Sequence, residues 1–381
     1  MSKLNKIYYG SAGTGKTRQA MIKAVEIVNE KFDMNIDLND YEEILKSFKK
    51  SSNLLSLDNI PLEHLENIHN SKDEKSLKYN FGKIPREIDI SLDEIKTYKD
   101  NYNKYPFIET VTFHPSYSYQ DFVEGISIET TNENQIIYKA KDGIFKKICD
   151  RAKENSNYNY ILIIDEINRG DISSIFGELF TLLEDSKRMG EKEELSINLP
   201  YSKDDKDNPK KLTIPKNLHI LATMNTVDKS IALIDVALRR RFEFIECMPK
   251  YDLKELKLYK DIDLVKLLQT INDRITILKN EHYQIGHSYF LNIKDIGELK
   301  DVIIKDIIPL LQEYFYDDWQ SICAVLNQDF EKTNNNQLLI VNNSNKQLFK
   351  DDFNELIEYK NKKVFKINKD FTEDNIKKIY E

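Results

Sequence analysis

Near the start of the chain, Gly10, Ser11, Ala12, Gly13, Thr14, Gly15, Lys16 and Thr17 fit the pattern G-x-x-x-x-G-K-[S/T] in full. Glycines at those positions let backbone N–H groups turn inward and converge on phosphate oxygens, where side chains would clash. A helix opening at the same point adds the positive end of its dipole. Lys16 supplies a point charge to the β- and γ-phosphates, and the Thr17 hydroxyl is a Mg²⁺ ligand. The competing reading is a chance glycine turn. With 11 glycines in 381 residues, and with the motif set between a strand and a helix, it is the weaker one.

Three further groups could act on a bound phosphate. Ile163 and Ile164 lead into Asp165 and Glu166, paired carboxylates at the end of an apolar run. At the C-terminal end of a parallel strand, Asp165 would hold Mg²⁺ through water and Glu166 would polarise the attacking water. The bland alternative is a helix N-cap followed by a first-turn acid. Asn225 closes the next apolar run, where an amide can reach both the γ-phosphate and the lytic water; a turn asparagine is the alternative. Arg239, Arg240 and Arg241 follow a predicted helix. Guanidinium groups match phosphate geometry and stay charged, so they suit a phosphate on a neighbouring subunit. A solvated basic turn competes with that role for any single arginine.

The elements that must position these residues are legible in the pattern. Lys6 to Tyr9 reads as a strand and Lys16 to about Val28 as a helix, which opens an α/β nucleotide-binding domain. From about 30 to 105 the chain turns polar, with no clear strand, and reads as a surface insertion. Thr110 to His114 is a strand, and Ile126–Glu129 with Gln135–Ala140 a hairpin. Asp142 is expected to cap a helix reaching about Lys153. Tyr160 to Ile164 is continuously apolar, as in a central parallel strand. From Asp171, Ile172, Ile175, Phe176, Leu179, Phe180 and Leu183 follow helical spacing. Leu218 to Thr223 is a strand, preceded by a charged loop from Lys203 to Lys211. After Pro249 the strands are expected to stop, with helical patterns over Leu253–Leu278 and Ile296–Leu326. Two short strand-like runs, Leu338–Val341 and Lys363–Ile367, lie near the end.

Composition sets bounds on partners. There are 64 Asp and Glu against 56 Lys and Arg, a net charge of −8, so bulk polyanion binding is excluded and any nucleic-acid contact must be local. Cys149, Cys247 and Cys323 share no metal or redox spacing, which suits a reducing cytosol. No apolar run reaches the ~20 residues a bilayer span needs, and the first residues lack a signal-peptide core. A cytoplasmic protein without membrane contact is expected.

The segments VTFHPSYSYQDFVEGI (111–126), LIIDEINRGDISSIFGELFTLLE (162–184), ATMNTVDKSIALIDVALRRRFEF (222–244) and YQIGHSYFL (283–291) closely resemble the McrB-type AAA+ GTPases. These are the motor subunits of McrBC-like, modification-dependent restriction systems. The resemblance runs from about Lys6 to Phe330. It implies a P-loop AAA+ domain, α/β with a parallel sheet flanked by helices, followed by a smaller helical lid. The expected limits are 1–248 for the αβα nucleotide-binding domain, 249–330 for the lid and 331–381 for a tail with short strands. The resemblance also implies a hexameric homo-oligomer, GTP rather than ATP as substrate, Mg²⁺, and a McrC-like nuclease or activator subunit through which DNA is engaged. Carried over, Lys16 and Thr17 belong to Walker A, Asp165 and Glu166 to Walker B, and Asn225 to the sensor. Asp228 belongs to the MNTxD signature, and Arg240 and Arg241 are the finger candidates. Asp228 is expected to cap a helix from Ser230 or to bridge subunits. Family members usually carry an N-terminal reader of modified DNA. Here the loop begins at Gly10, so target recognition is expected in a partner, in the 30–105 insertion, or nowhere. His287, in Gly286-His287-Ser288, stands where many AAA+ proteins place a second arginine sensor; nearness to the phosphates and plain structural packing remain equally open for it. A MoxR- or dynein-like ATPase that remodels proteins is the alternative function.

Overall fold

A computed structural model describes residues 3–30, 77–81, 84–88, 107–130, 135–227, 236–256, 258–259, 261–316, 318–331, 337–342 and 363–381. Five strands form one sheet: β1 (Asn5–Gly10), β2 (Ile108–Thr112), β3 (Tyr160–Asp165), β4 (Leu218–Asn225) and β5 (Glu243–Glu246), in the order β5-β1-β4-β3-β2. β4 runs parallel to β3, from Leu218 opposite Tyr160 to Ala222 opposite Ile164. β2 flanks β3 on the other side, also parallel, with Thr112 opposite Asp165. Tyr160 to Ile164 are all buried, which is why this strand is apolar without alternation and only its last residue is polar.

Helices cover the sheet through spaced apolar residues. α1 (Lys16–Asn29) buries Ala20, Ala24, Val25 and Val28, and α2 (Ile144–Glu154) buries Phe145, Ile148, Cys149 and Ala152. Phe122 packs against α2 and the helix ending at Phe176, its ring centroid 5.0 Å from Phe145 and 4.9 Å from Phe176.

Several local expectations change. Gly143, not Asp142, is the N-cap of α2. Asp142 ends the hairpin strand Ile136–Asp142, and its carboxylate instead accepts from the Lys146 ammonium one turn into the helix. The helix from Asp171 does begin there, with the Asp171 side chain accepting from Ser174 N–H at 3.1 Å. It stops at Phe176, because Gly177 takes φ 49°, and a second short helix covers Leu179–Leu182. The charged stretch 203–211 is the turn of a hairpin pairing Ile197–Lys203 with Pro209–Leu212. Within 30–105, where no strand was read, the backbone of Leu77–Phe81 pairs with Ile84–Ile88. The rest of that insertion lies outside the described residues.

The chain forms two compact units. Met1–Tyr9, Lys16–Met224 and Asp228–Ile245 make one; Gly10–Gly15, Asn225–Val227 and Glu246–Glu381 make the other. The second unit is mainly helical. α3 (Val236–Arg241) belongs to the first unit, and the second begins its helices with α4 (Leu264–Leu278), capped by Asp263 through Lys266 N–H at 3.0 Å. Ile296–Val302 continues through a π turn, Ile303–Ile307, into Ile308–Phe315, and Trp319–Val325 follows. Leu267, Ile271, Phe290, Leu311 and Ile322 lie in its core. So do Leu339, Val341, Phe365 and Ile376, from strands and a helix of the stretch 331–381 expected as a tail. A two-residue strand pair, Leu258–Tyr259 with Ile262–Asp263, also appears beyond Pro249, where strands were expected to end. No helix of the described residues is long and apolar enough to cross a membrane.

Candidate functional site

The loop residues belong to the second unit. Gly13 and Gly15 have φ of 77° and 81°, a region side-chain-bearing residues avoid, so the motif's glycines are required by the path of the backbone. The Thr14 hydroxyl donates to Ser11 O at 3.0 Å and tightens the turn. Ala12 O accepts from Gly286 N–H, and Gly13 O from Ser288 N–H, each at 3.1 Å. With no cis peptide among the described residues, a carbonyl aimed one way sends the N–H of the next residue the other way. The N–H groups of Gly13 and Thr14 therefore point away from the 286–288 segment, as a phosphate cradle needs. Asn225 sits beside this loop: Thr226 N–H donates to Gly10 O at 3.1 Å, and Asn225 Oδ1 accepts from Val227 N–H at 3.3 Å, which fixes the amide's orientation.

The carboxylates belong to the first unit, with Lys16 and Thr17. Lys16 is buried, at 8% exposure. Thr17 Oγ1 donates to Asp165 Oδ1 at 3.4 Å. Thr223 Oγ1 donates to the same oxygen at 2.5 Å and accepts from Glu166 N–H at 3.1 Å. Thr223 thus bridges both members of the acidic pair. In the sequence pattern Thr223 has no role of its own; it reads as one more β-branched strand residue. Only the parallel register, which puts it next after the Ala222–Ile164 pair, brings it to Asp165. Glu166 itself takes φ 53° and is approached by Arg169 Nε at 3.5 Å. A hydroxyl and a carboxylate oxygen side by side are hard donors of the kind Mg²⁺ takes alongside water and substrate phosphates, so the residues present fit that ion.

The three arginines end α3 rather than follow it, where positive charge is favourable to the helix dipole. Arg241 pairs with Glu184 at 2.9 Å and lies 5.3 Å above the Phe180 ring. Arg239 lies 5.4 Å over Phe244, and Arg240 is exposed. The Lys3 ammonium fastens this turn by donating to Arg240 O at 2.6 Å and Phe242 O at 3.2 Å. Asp228 and the helix expected from Ser230 fall outside the described residues.

A family model for the AAA domain (dynein-related subfamily) matches residues 102–242, and one for the McrB alpha-helical lid domain matches 263–323. The type IV methyl-directed restriction enzyme EcoKMcrB subunit of Escherichia coli (strain K12) is 39% identical over 230 residues, which cover 55% of this chain and 48% of that protein. The type II restriction enzyme BsuMI component YdiS of Bacillus subtilis (strain 168) is 30% identical over 183 residues, covering 41% and 52%. The chain therefore spans about half the length of these curated relatives. A solved structure, a putative ATPase from Cytophaga hutchinsonii, aligns over 71% of this chain and 61% of its own at 11% identity, with a TM-score of 0.25, too slight a likeness to bear on the fold. The AAA match ends within β5's approach, at the arginine-bearing turn, and the lid match takes up α4 through Trp319–Val325. The two matches and the McrB relative together show that the chain carries an McrB-type AAA+ module, a P-loop NTPase domain followed by the McrB helical lid.

Proposed function

We propose that this protein is a Mg²⁺-dependent nucleoside triphosphatase, using GTP in preference to ATP, that assembles into a hexameric ring and drives a DNA-restriction complex with a McrC-like nuclease subunit. The observation that carries the reading is the hydroxyl–carboxylate cluster: Thr17 and Thr223 both donate to Asp165, and Thr223 also holds the backbone of Glu166. Gly13 to Gly15 and Lys16 bind the phosphates, and Thr17 and Asp165 hold Mg²⁺, which when bound neutralises charge on the β- and γ-oxygens. Glu166 accepts the proton of the attacking water. Asn225 orients that water, with Asp228 as its neighbour in the signature. Arg240, exposed, acts on the nucleotide of an adjacent subunit, and Arg241 supports it from its place on Glu184. The αβα domain is taken as 1–248 with the 30–105 insertion, the lid as starting at 249, and 331–381 as continuous with the lid's core.

The McrB-type lid and relatives that are restriction-enzyme subunits support a restriction partner, and the resemblance to the McrB-type GTPases supports the preference for GTP. A remodelling ATPase has the dynein-related AAA match on its side, but that match does not extend to the lid. Hydrolysis of GTP and ATP, measured in parallel with and without a McrC-like subunit, separates them. The restriction reading expects GTP turnover stimulated by that subunit. ATP turnover indifferent to it supports the remodeller.

A further inference from the structure

Carbonyls at the C-terminal end of a helix have no partner within it, so something else must take them up. At the end of α3 that task falls to side chains from the start of the chain. A lysine ammonium suits it, since it donates in several directions and accepts nothing. The Lys3 ammonium donates to Arg240 O at 2.6 Å, to Phe242 O at 3.2 Å and, at greater length, to Arg239 O at 3.5 Å. Two residues on, Asn5 Nδ2 donates to Leu183 O at 2.8 Å and to Arg241 O at 3.3 Å. Every residue of the arginine turn, 239 to 242, is thus held by its carbonyl from the segment 3–5.

That anchorage is itself fixed. Asn5 is fully buried, and its Oδ1 accepts from Arg188 Nη2 at 2.7 Å. Arginine donates and cannot accept, so the amide oxygen faces Arg188 and the amide nitrogen faces the turn. Arg188, also fully buried, donates to Leu218 O at 2.8 Å and Pro215 O at 3.1 Å as well. Just beyond the turn, Lys6 pairs with Glu243 at 3.0 Å. The guanidinium groups go separate ways. Arg241 lies on Glu184 and Phe180 and Arg239 over Phe244, whereas Arg240 is exposed. The shortest bond from Lys3 falls on the carbonyl of that exposed residue.

We propose that Lys3 is a positioning residue for the arginine finger. By capping α3 on the carbonyls of Arg239, Arg240 and Phe242, it fixes the backbone from which the Arg240 guanidinium is offered to the nucleotide of an adjacent subunit. Lys3 acts through that backbone and not on the nucleotide itself. The assignment rests on the reading of Arg240 as acting on a neighbour's nucleotide. Lys3 stands just ahead of β1, which runs into the phosphate loop at Gly10. One short segment therefore serves its own subunit's site at one end and the next subunit's at the other.

Two variants and a mixing experiment test it. Lys3→Met keeps the stem and loses the donors, whereas Lys3→Arg keeps a cationic donor. GTP hydrolysis is read beside equilibrium binding of a non-hydrolysable GTP analogue, thermal unfolding and light scattering. Lys3→Met is expected to lower kcat about tenfold, with affinity for the analogue within about twofold of wild type, and Lys3→Arg to restore most of the rate. Diluted into an excess of Lys16→Ala, which keeps its own arginines, a Lys3→Met subunit receives an intact finger. Its turnover should then reach that of wild-type subunits diluted in the same way. Unchanged kcat in Lys3→Met, a loss that comes with unfolding or failed assembly, a Lys3→Arg protein as slow as Lys3→Met, or no recovery on dilution overturns the assignment. Arg240→Ala diluted in parallel tells two failures apart. Recovery there but not in Lys3→Met removes the role of Lys3 alone; recovery in neither removes the finger reading and this proposal with it.

Discussion

Glu166 occupies a left-handed conformation at φ 53°, which costs a residue with a side chain roughly 1 kcal/mol or more. That conformation persists because Thr223 Oγ1 accepts the Glu166 N–H while donating to Asp165. One hydroxyl therefore sets the angle between the proposed metal-binding carboxylate and the proposed base. Two outcomes follow at this scale. Glu166→Gln keeps its shape and its backbone bond but loses basicity, so it is expected to bind nucleotide with Mg²⁺ and to lose turnover by about 10²- to 10⁴-fold in a phosphate-release assay. Normal turnover in that variant would show that another group is the base. Thr223→Val preserves the strand and removes both bonds, leaving Asp165 and the Glu166 N–H without that partner. It is expected to lower kcat about tenfold or more while changing nucleotide affinity less, which steady-state kinetics beside equilibrium binding can resolve.

At the scale of elements, β4 combines a site residue at its end with a half-buried titratable group near its start. His219, on that strand, has its pKa pushed down to about 4 by burial, aided by the charges of Arg188, Lys23 and Lys6. The unfolded chain takes up a proton near pH 6.5, whereas the folded strand resists it until about pH 4. Between those values the unfolded state binds more protons, so stability is full above pH 6.5 and is lost as pH falls toward 4, by up to about 3 kcal/mol. Urea unfolding at pH 7, 5 and 4 should show that loss, and His219→Gln should flatten it; an unchanged slope in the variant would assign the loss to other groups.

The same elements explain how far the chain could be read. β3 was legible because a strand buried on both faces must be apolar at every position, and Tyr160 to Ile164 are. The phosphate loop was legible because its backbone needs glycine at Gly13 and Gly15. Asp142 was misread as a cap because the pattern of a strand end and a helix start overlap there, and its carboxylate found Lys146 instead. The break at Gly177 was hidden by apolar spacing that continues across it. Thr223 was not legible as a site residue, because its partner, Asp165, is distant in sequence and meets it only through the parallel register.

For the whole molecule, the account requires subunits to complete one another. Arg241 is occupied within its own chain by Glu184 and Phe180, whereas Arg240 is exposed, so Arg240 is the better placed to reach a neighbour. Arg240→Ala and Lys16→Ala are each expected to lose most hydrolysis alone. Mixed together, they should regain a measurable fraction, since some interfaces then pair an intact loop with an intact arginine; a strictly additive loss would argue that Arg240 acts within its own subunit or not at all. Light scattering with and without nucleotide should show the hexamer that such mixing needs. All of this depends on the loop and the carboxylate cluster serving one phosphate. The most direct measurement is equilibrium titration of wild-type protein and Lys16→Ala with a fluorescent purine triphosphate, with and without Mg²⁺. The account predicts saturable, Mg²⁺-strengthened binding by the wild type and a loss of at least about tenfold in Lys16→Ala. Equal binding by the two proteins, or no saturable binding by the wild type, would contradict it.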